Sequence, residues 1–259
     1  PILAWLAGEG WRMEVFRTHG KIYEASAAQM FRVPIESITK DSPLRQKGKI
    51  AELALGYQGA VGALRQMDRK WAANATKEEL QELVNQWREA NPRIVQLWYD
   101  VEAAAIEAID NRTTIGLQQG RIKFIYEPGF LFIQLPSGRK LAYLKPELHP
   151  HDKYPGQVKI TYEGLDTNYK WIRIDTYGGK LVENIVQAIA RDCLRDALLR
   201  LDEAGYKITF HVHDEVVLDV PIGQGSVEHV NSIMSQPVSW APDLPLRAEG
   251  FECDYYQKD

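Results

Sequence analysis

The spacing of apolar residues changes along the chain near residue 113. Before that point apolar residues recur every three or four positions, which predicts helices, and after it they alternate with polar residues, which predicts strands. Helices are expected in the opening "ILAWLAG", over 22–31, and after start signals at Ser42, Thr76 and Pro92.

Two of these start signals have a specific capping chemistry. Ser42 is a candidate N-cap with Pro43 at the first helical position, where its missing N–H has no cost. Thr76 and Glu79 have the spacing of a capping box. The helix that follows Thr76 is expected to bury one apolar face, made of Leu80, Leu83, Val84 and Trp87.

The second half of the chain is expected to be mainly β-structure. "FLFIQLPSGRKLAYL" is typical of a hairpin that turns at 136–138, and "QVKITYEGL" and "KWIRIDTYGG" predict further strands. A helix over 180–204, a strand pair over 207–220 and a last strand in "PLRAEGFECDYY", with Gly250 at a bulge or turn, complete the prediction. The fold class is therefore α+β, with a helical subdomain inserted into an antiparallel sheet.

The predicted strand pair "KITFHVHDEVVLDV" is interrupted by polar groups where it turns. His211, His213, Asp214 and Glu215 fall at this position. Partly buried carboxylates cost free energy unless they are paired, and a divalent cation is one such partner. A polar hairpin tip that faces water is the alternative.

Charge is distributed unevenly along the chain, although the net charge is only −4. Residues 41–70 contain six Lys and Arg against three acids, a net charge of +3, and residues 213–259 contain nine acids against two basic residues, a net charge of −7. The first region suits phosphates and the second suits cations, which together fit a metal-bound polyphosphate.

Cysteine content and hydropathy point to a reducing, cytoplasmic setting. Cys193 and Cys253 have no metal-binding spacing and predict no disulfide framework, although a single pair is possible. The apolar stretch over 2–7 is too short to cross a bilayer, so no membrane association is expected.

The helix after Ser42 carries a stripe of cations. Arg45, Lys49, Leu53 and Tyr57 are four residues apart, so each lies about 6 Å above the last, close to the separation of neighbouring phosphates. A solvated basic first turn is the alternative. Gly48 and Gly56 lie in the same segment, where glycine is unfavourable, and suggest that something approaches the backbone closely.

Arg45-x-x-x-Lys49, followed eight residues later by Tyr57, resembles the nucleotide-binding helix of family A DNA polymerases, the DNA polymerase I class, especially those of bacteriophages and prophages. "HDE" at 213–215 resembles the third motif of that family, which lies at a hairpin tip. "ILAWLAGE", "KIYEASAAQMFRVPIESIT" and "LPSGRKLAYL" resemble intervening segments in the same order, so the resemblance covers nearly the whole chain.

The resemblance implies catalytic and nucleotide-binding roles. Asp214 would ligate the catalytic Mg²⁺ ions, two in the complete enzyme, with Glu215 supporting that site. Arg45 and Lys49 would hold the triphosphate of a deoxynucleoside triphosphate, and Lys49 would protonate the leaving pyrophosphate. Leu53, where the family usually has Phe or Tyr, would lie beside the sugar.

It also implies contacts with primer-template DNA. Tyr57 would pack by the nascent base pair, and because it is followed by Gln58 and Gly59 rather than directly by Gly, the end of the helix is expected to differ in shape. His213 would contact the primer terminus, while Gln187 and Asn184 would contact the minor groove. Replication accessory proteins are possible further partners.

In this family the fold is a right hand. The resemblance implies a first part of the palm over 1–38, helical fingers over 39–112, a β-hairpin region over 113–176, and a second part of the palm over 177–259. The thumb and the first catalytic aspartate would precede Pro1. The chain by itself is therefore expected to be an inactive fragment of a two-metal polymerase.

Three other functions stay open at this point. A single-subunit RNA polymerase shares the Arg, Lys and Tyr helix, although Glu215 favours a DNA polymerase. A metal-dependent hydrolase would use His211, His213 and Asp214 to bind zinc, but the sequence places no further His or Cys as a ligand. A nucleic-acid-binding module without catalysis is the third.

Overall fold

The structure, a computed structural model, describes residues 1–151 and 155–257. The helices are α1 Ile2–Ala7, α2 Gly10–Arg17, α3 Ile22–Phe31, α4 Pro43–Leu55, α5 Val61–Met67, α6 Arg69–Asn74, α7 Lys77–Ala90, α8 Pro92–Asp110, α9 Gly178–Glu203 and α10 Val227–Met234. The strands are β1 Thr114–Leu117, β2 Ile122–Glu127, β3 Phe130–Gln134, β4 Lys140–Pro150, β5 Val158–Leu165, β6 Trp171–Thr176, β7 Ile208–Val212 and β8 Glu215–Leu218. The α+β class and the change of period near residue 113 are confirmed. Helices α2, α5, α6 and α10 were not among the predicted elements.

Both predicted helix start signals are formed. The Ser42 hydroxyl accepts a hydrogen bond from the Leu44 N–H at 3.2 Å. At the start of α7, the Thr76 hydroxyl accepts from the Glu79 N–H at 3.1 Å, and the Glu79 carboxylate accepts from the Thr76 N–H at 2.7 Å. Each bond satisfies an N–H that has no partner within its helix, so these side chains fix where α4 and α7 begin.

Strands β1 to β6 form an antiparallel sheet in which each strand pairs with its neighbours in the sequence. The predicted β3–β4 hairpin is present, closed by a turn in which Gly138 has a φ of +86°. Helix α8 packs against β1 to β4. Phe124 and Ile133 are fully buried, so the alternation of side chains along β2 and β3 directs one face of the sheet into the core.

The chain divides into two compact units. The larger unit, residues 3–185, contains α2 to α8 and the six-stranded sheet. The smaller unit consists of residues 186–259 with residues 1 and 2. Its core contains Leu201, Tyr206 and Ile233, against which Ile208, Val216 and Leu218 of the β7–β8 pair pack.

The expected last strand in the tail was wrong. Over the described part of "PLRAEGFECDYY" no strand is formed, and Gly250 lies in irregular backbone rather than at a bulge. A strand requires a partner for its backbone groups, whereas β7 and β8 form a sheet of two strands. The segment is held instead by a hydrogen bond from the Ala248 N–H to the Ser235 hydroxyl at 2.9 Å, and Phe251 and Tyr255 remain exposed.

Candidate nucleotide and metal sites

The predicted cationic stripe lies on α4 and the turn after it. Arg45 and Lys49 are half-buried and Leu53 is 49% exposed. The Arg45 guanidinium carbon lies 5.6 Å from the centroid of the Tyr23 ring, and the Lys49 ammonium lies 5.9 Å from the same centroid. The structure therefore brings these two cations together beside one aromatic ring of α3.

The two cations differ in how far they are neutralised. The Arg45 Nε donates a hydrogen bond to the Glu24 carboxylate at 2.6 Å. Burial acts to raise the pKa of Glu24, but the hydrogen bond and charge of Arg45, together with a backbone hydrogen bond and the charge of Lys21, lower that pKa overall. Within residues 1–151 and 155–257, Lys49 forms no ion pair with a carboxylate. Lys49 therefore has the less compensated charge and is better placed to attract an anion.

The two glycines of the stripe have different neighbours. A Cβ added to Gly48 would lie 2.5 Å from the backbone oxygen of Tyr23, so α3 approaches α4 closely at this position. A Cβ on Gly56 would meet Leu3 at an ordinary 3.5 Å. The close approach expected from the sequence is confirmed at Gly48, where the approaching group is the α3 backbone.

The inner side of α4 is held by a buried ion pair between Glu52 and Arg12, whose side chains are 8% and 7% exposed. Glu52 also accepts hydrogen bonds from the Ser26 hydroxyl at 2.7 Å and from the Trp87 indole N–H at 2.9 Å. Side chains from α2, α3 and α7 thus converge on one residue of α4. The sequence predicts no such role for Glu52, since its partners are 26 to 40 residues away.

The last residue of the stripe, Tyr57, lies beyond the end of α4. The helix ends at Leu55, Tyr57 lies in the turn that follows, and Gln58 has a φ of +65°. Burial raises the pKa of Tyr57, and the negative charge of Glu183 raises it further. Tyr57 is half-buried and remains a neutral phenol at physiological pH.

The two predicted DNA contacts on α9 have different surroundings. The Asn184 amide donates a hydrogen bond to the Tyr143 hydroxyl at 2.9 Å. Burial raises the pKa of Tyr143 to about 12, while the hydrogen bond from Asn184 acts in the opposite direction. Gln187 is exposed. One N–H of Asn184 is therefore occupied within the protein, whereas Gln187 is open to solvent.

The predicted polar turn forms the tip of the β7–β8 hairpin. Val212 pairs with Glu215, so His213 and Asp214 are the two residues of the turn. His213 has a φ of +53°, a conformation that L-residues rarely adopt and that is concentrated at functional sites. The hairpin position of the His-Asp-Glu sequence is confirmed.

The carboxylates at this tip are Asp214 and Glu215. Asp214 is exposed and Glu215 is half-buried, and neither side chain has a hydrogen bond or ion pair with another residue that the structure describes. Carboxylate oxygens without protein partners are suitable ligands for a hard divalent cation. The donor chemistry of the tip therefore fits such an ion.

The tip supplies only part of a coordination shell. In the described ranges no group of three or more His, Cys, Asp or Glu side chains is arranged to hold a metal. The zinc site of the hydrolase alternative would require His211, His213 and Asp214 to converge on one point, and the described residues do not show this arrangement.

Comparisons with known proteins bear on the resemblance seen in the sequence. No protein-family model matches the chain. The chain is 62% identical over 258 residues to the DNA polymerase of Bacillus phage SP02, a match that spans 100% of this chain and 39% of that protein.

A solved structure has a related fold. The chain resembles the POL domain of Pol1 from M. smegmatis, determined in complex with DNA primer-template and dNTP, with a TM-score of 0.60 and 20% sequence identity. The match covers 95% of this chain and 36% of that chain. The predicted polymerase-type fold is confirmed. In the part of the chain that the structure describes, no helix combines the length and apolar character needed to cross a bilayer.

Proposed function

We propose that the chain belongs to the DNA polymerase I class (family A) and that the intact protein is a template-directed DNA polymerase. The observation that carries the proposal is the 62% identity, over the whole chain, to a phage DNA polymerase. That identity supports DNA synthesis over the RNA polymerase and hydrolase alternatives. The substrates of the intact protein are then deoxynucleoside triphosphates and primer-template DNA.

On α4, Arg45 and Lys49 bind the triphosphate of the incoming nucleotide. The partial neutralisation of Arg45 by Glu24 leaves Lys49 as the stronger attraction for a phosphate oxygen. Lys49 can also donate a proton to the leaving pyrophosphate, since an ammonium group is both a cation and an acid. Leu53 lies beside the sugar, and Tyr57 packs by the base pair.

At the hairpin tip, Asp214 holds a divalent cation, and Glu215 supports it. Mg²⁺ suits such a site because it prefers carboxylate oxygens and retains several water ligands. Asp214, supported by Glu215, would contribute to holding such ions, which would supply activation of the primer 3′-hydroxyl and stabilisation of the charge on the leaving group. The strained His213 contacts the primer terminus, while Gln187 and Asn184 contact the minor groove.

The setting that fits this activity is the cytoplasm of a bacterium that carries the phage or prophage genome. Replication accessory proteins are further partners in that setting. The similarity to a phage DNA polymerase supports this setting.

Lys49→Ala in the intact protein tests the proposal, with Lys47→Ala as the matched control. Lys47 is on the same helix, but its ammonium lies over the Phe31 ring, 5.8 Å from its centroid. Steady-state primer extension should show that Lys49→Ala lowers kcat/KM for dNTP by about 100-fold or more, as expected for loss of a charged group that stabilises the transition state. Lys47→Ala should stay within about twofold of the parent protein.

Two further measurements make the test specific. Affinity for primer-template, measured by fluorescence anisotropy, should be unchanged in both variants. Incorporation with ribonucleotides alone should stay far below incorporation with deoxynucleotides. Wild-type extension rates in Lys49→Ala, or equal losses in both variants, would contradict the assigned role of Lys49.

A further inference from the structure

The turn after α4 contacts the first turn of α9 backbone to backbone. A Cβ added to Gly179 would lie 2.5 Å from the Tyr57 carbonyl oxygen and would also overlap the Gln58 side chain. A Cβ on Gly178 would overlap the backbone of Trp98 in α8. The Gly178–Gly179 pair is therefore required because α9 begins in direct contact with two other backbone segments.

The side chain of Gln58 completes this contact with a hydrogen bond. Its Oε1 accepts from the Gly179 N–H at 2.8 Å, across 121 residues of sequence. An N–H group in the first turn of a helix has no partner within it, and here a side chain from another segment supplies the acceptor. Burial raises the pKa of the nearby Glu102 carboxyl, and the Gly178 backbone N–H acts in the opposite direction.

Gln58 reaches Gly179 because its own backbone is left-handed. With a φ of +65°, the residue reverses the chain directly after Tyr57. Glutamine has no particular tolerance for this conformation, whereas Gly and Asn have. An unfavourable backbone conformation thus occurs at the same residue as a side chain that makes a specific hydrogen bond, which points to a role for the side chain.

We propose that Gln58 is a positioning residue that fixes the Tyr57 turn against the N-terminus of α9, and thereby sets the fit of the incoming nucleotide. The proposal rests on the proposed function, in which Tyr57 packs by the nascent base pair. Gln58 itself does not touch the substrate. Loss of its hydrogen bond frees the turn to move relative to α9, so Tyr57 is no longer held where the nucleotide requires it.

Two substitutions at position 58 distinguish the effect of the side-chain hydrogen bond from the effect of backbone strain. Gln58→Ala removes the acceptor and is strained at positive φ, whereas Gln58→Asn tolerates that φ but is one methylene too short to reach the Gly179 N–H. Both should raise KM for dNTP by about 5- to 10-fold, the equivalent of one neutral hydrogen bond. Values of kcat and primer-template affinity should stay within about twofold. Gln66→Ala, an exposed glutamine on α5, is the control and should leave all three unchanged.

Amide hydrogen exchange gives a readout that does not depend on activity. The Gly179 amide should be protected in the parent protein and should exchange at least 10-fold faster in Gln58→Ala and Gln58→Asn, while both variants still unfold cooperatively. Faster exchange with an unchanged KM for dNTP would overturn the positioning role. An unprotected Gly179 amide in the parent would overturn the contact itself.

Failure of the proposed function looks different. If the intact protein without substitutions incorporates no nucleotide, the polymerase assignment fails, but the hydrogen-exchange measurement still tests the contact between Gln58 and Gly179. If the parent is active and both Gln58 variants keep the parental KM, only the positioning proposal fails.

Discussion

Removal of the Glu52 carboxylate should be severely destabilising. In Glu52→Ala the buried Arg12 guanidinium loses both carboxylate oxygens and keeps one neutral acceptor, the Asn91 side-chain oxygen at 2.8 Å. The Ser26 hydroxyl and the Trp87 indole N–H lose their acceptor as well. Three polar groups in the interior of the larger unit thus lose a carboxylate acceptor.

The magnitude follows from the burial of the pair. Both side chains are less than one-tenth exposed, so water cannot replace the lost carboxylate. Breaking a buried ion pair by removing one partner costs about 3–5 kcal/mol. At about 2–4 °C per kcal/mol for a unit of this size, Tm should fall by about 6–20 °C.

Thermal unfolding followed by circular dichroism measures this effect. Glu82→Ala is the matched control, because Glu82 is exposed on α7 and its hydrogen bond is to Gln86 of the same helix. Its Tm should change by less than about 2 °C, as for most surface substitutions. Glu52→Gln keeps an acceptor for Ser26 and Trp87, so its Tm should lie between those of Glu52→Ala and Glu82→Ala. A Tm for Glu52→Ala within about 2 °C of the parent would refute the argument.

Two further predictions concern buried ionisable groups. Burial raises the pKa of Tyr143 from 10.0 to about 12, so as pH rises the unfolded chain loses the phenol proton before the folded protein does. The contribution of the buried phenol to the free energy of unfolding is therefore fully present below pH 10 and is lost as pH rises through 12. Urea midpoints measured across that range should fall less steeply in Tyr143→Phe than in the parent. Burial raises the pKa of the Cys193 thiol to about 11, whereas Cys253 is exposed. A thiol reagent at pH 8 should therefore modify Cys253 at once and Cys193 only on unfolding, and modification of both at similar rates would contradict the structure.

Helix starts could be predicted because their causes are local. Ser42 and Thr76 satisfy N–H groups two and three residues away, so the capping chemistry lies within one short stretch of sequence. The β7–β8 turn is equally local, since it joins two strands that are adjacent in the chain. Features of this kind are visible in a single sequence because their contacts are short in range.

The roles of Glu52 and Gln58 could not be predicted, because their contacts are distant in sequence. The hydrogen bond of Gln58 spans 121 residues, and no local pattern marks it. The adjacent glycines Gly178 and Gly179 permit the close backbone approach seen in the structure, but a pair of glycines in a sequence does not identify the approaching segment. The tail was mispredicted for the same reason, since a strand depends on a partner that its own sequence does not specify.

The inner side of α4 stabilises the fold and its exposed side is proposed to bind the nucleotide, so substitutions on the two sides should have different effects. On the inner side, Gly48 and Glu52 hold the helix against its neighbours through backbone contact and a buried ion pair. On the outer side of α4, Lys49 and Leu53 contribute little to packing, since Leu53 is half exposed and Lys49 has no ion pair within the described residues. Inner substitutions should lower stability and activity together, because they displace the helix. Substitution of Lys49 should lower activity at constant Tm, because a cation that forms no ion pair with any described carboxylate is better explained by an anionic ligand than by the fold.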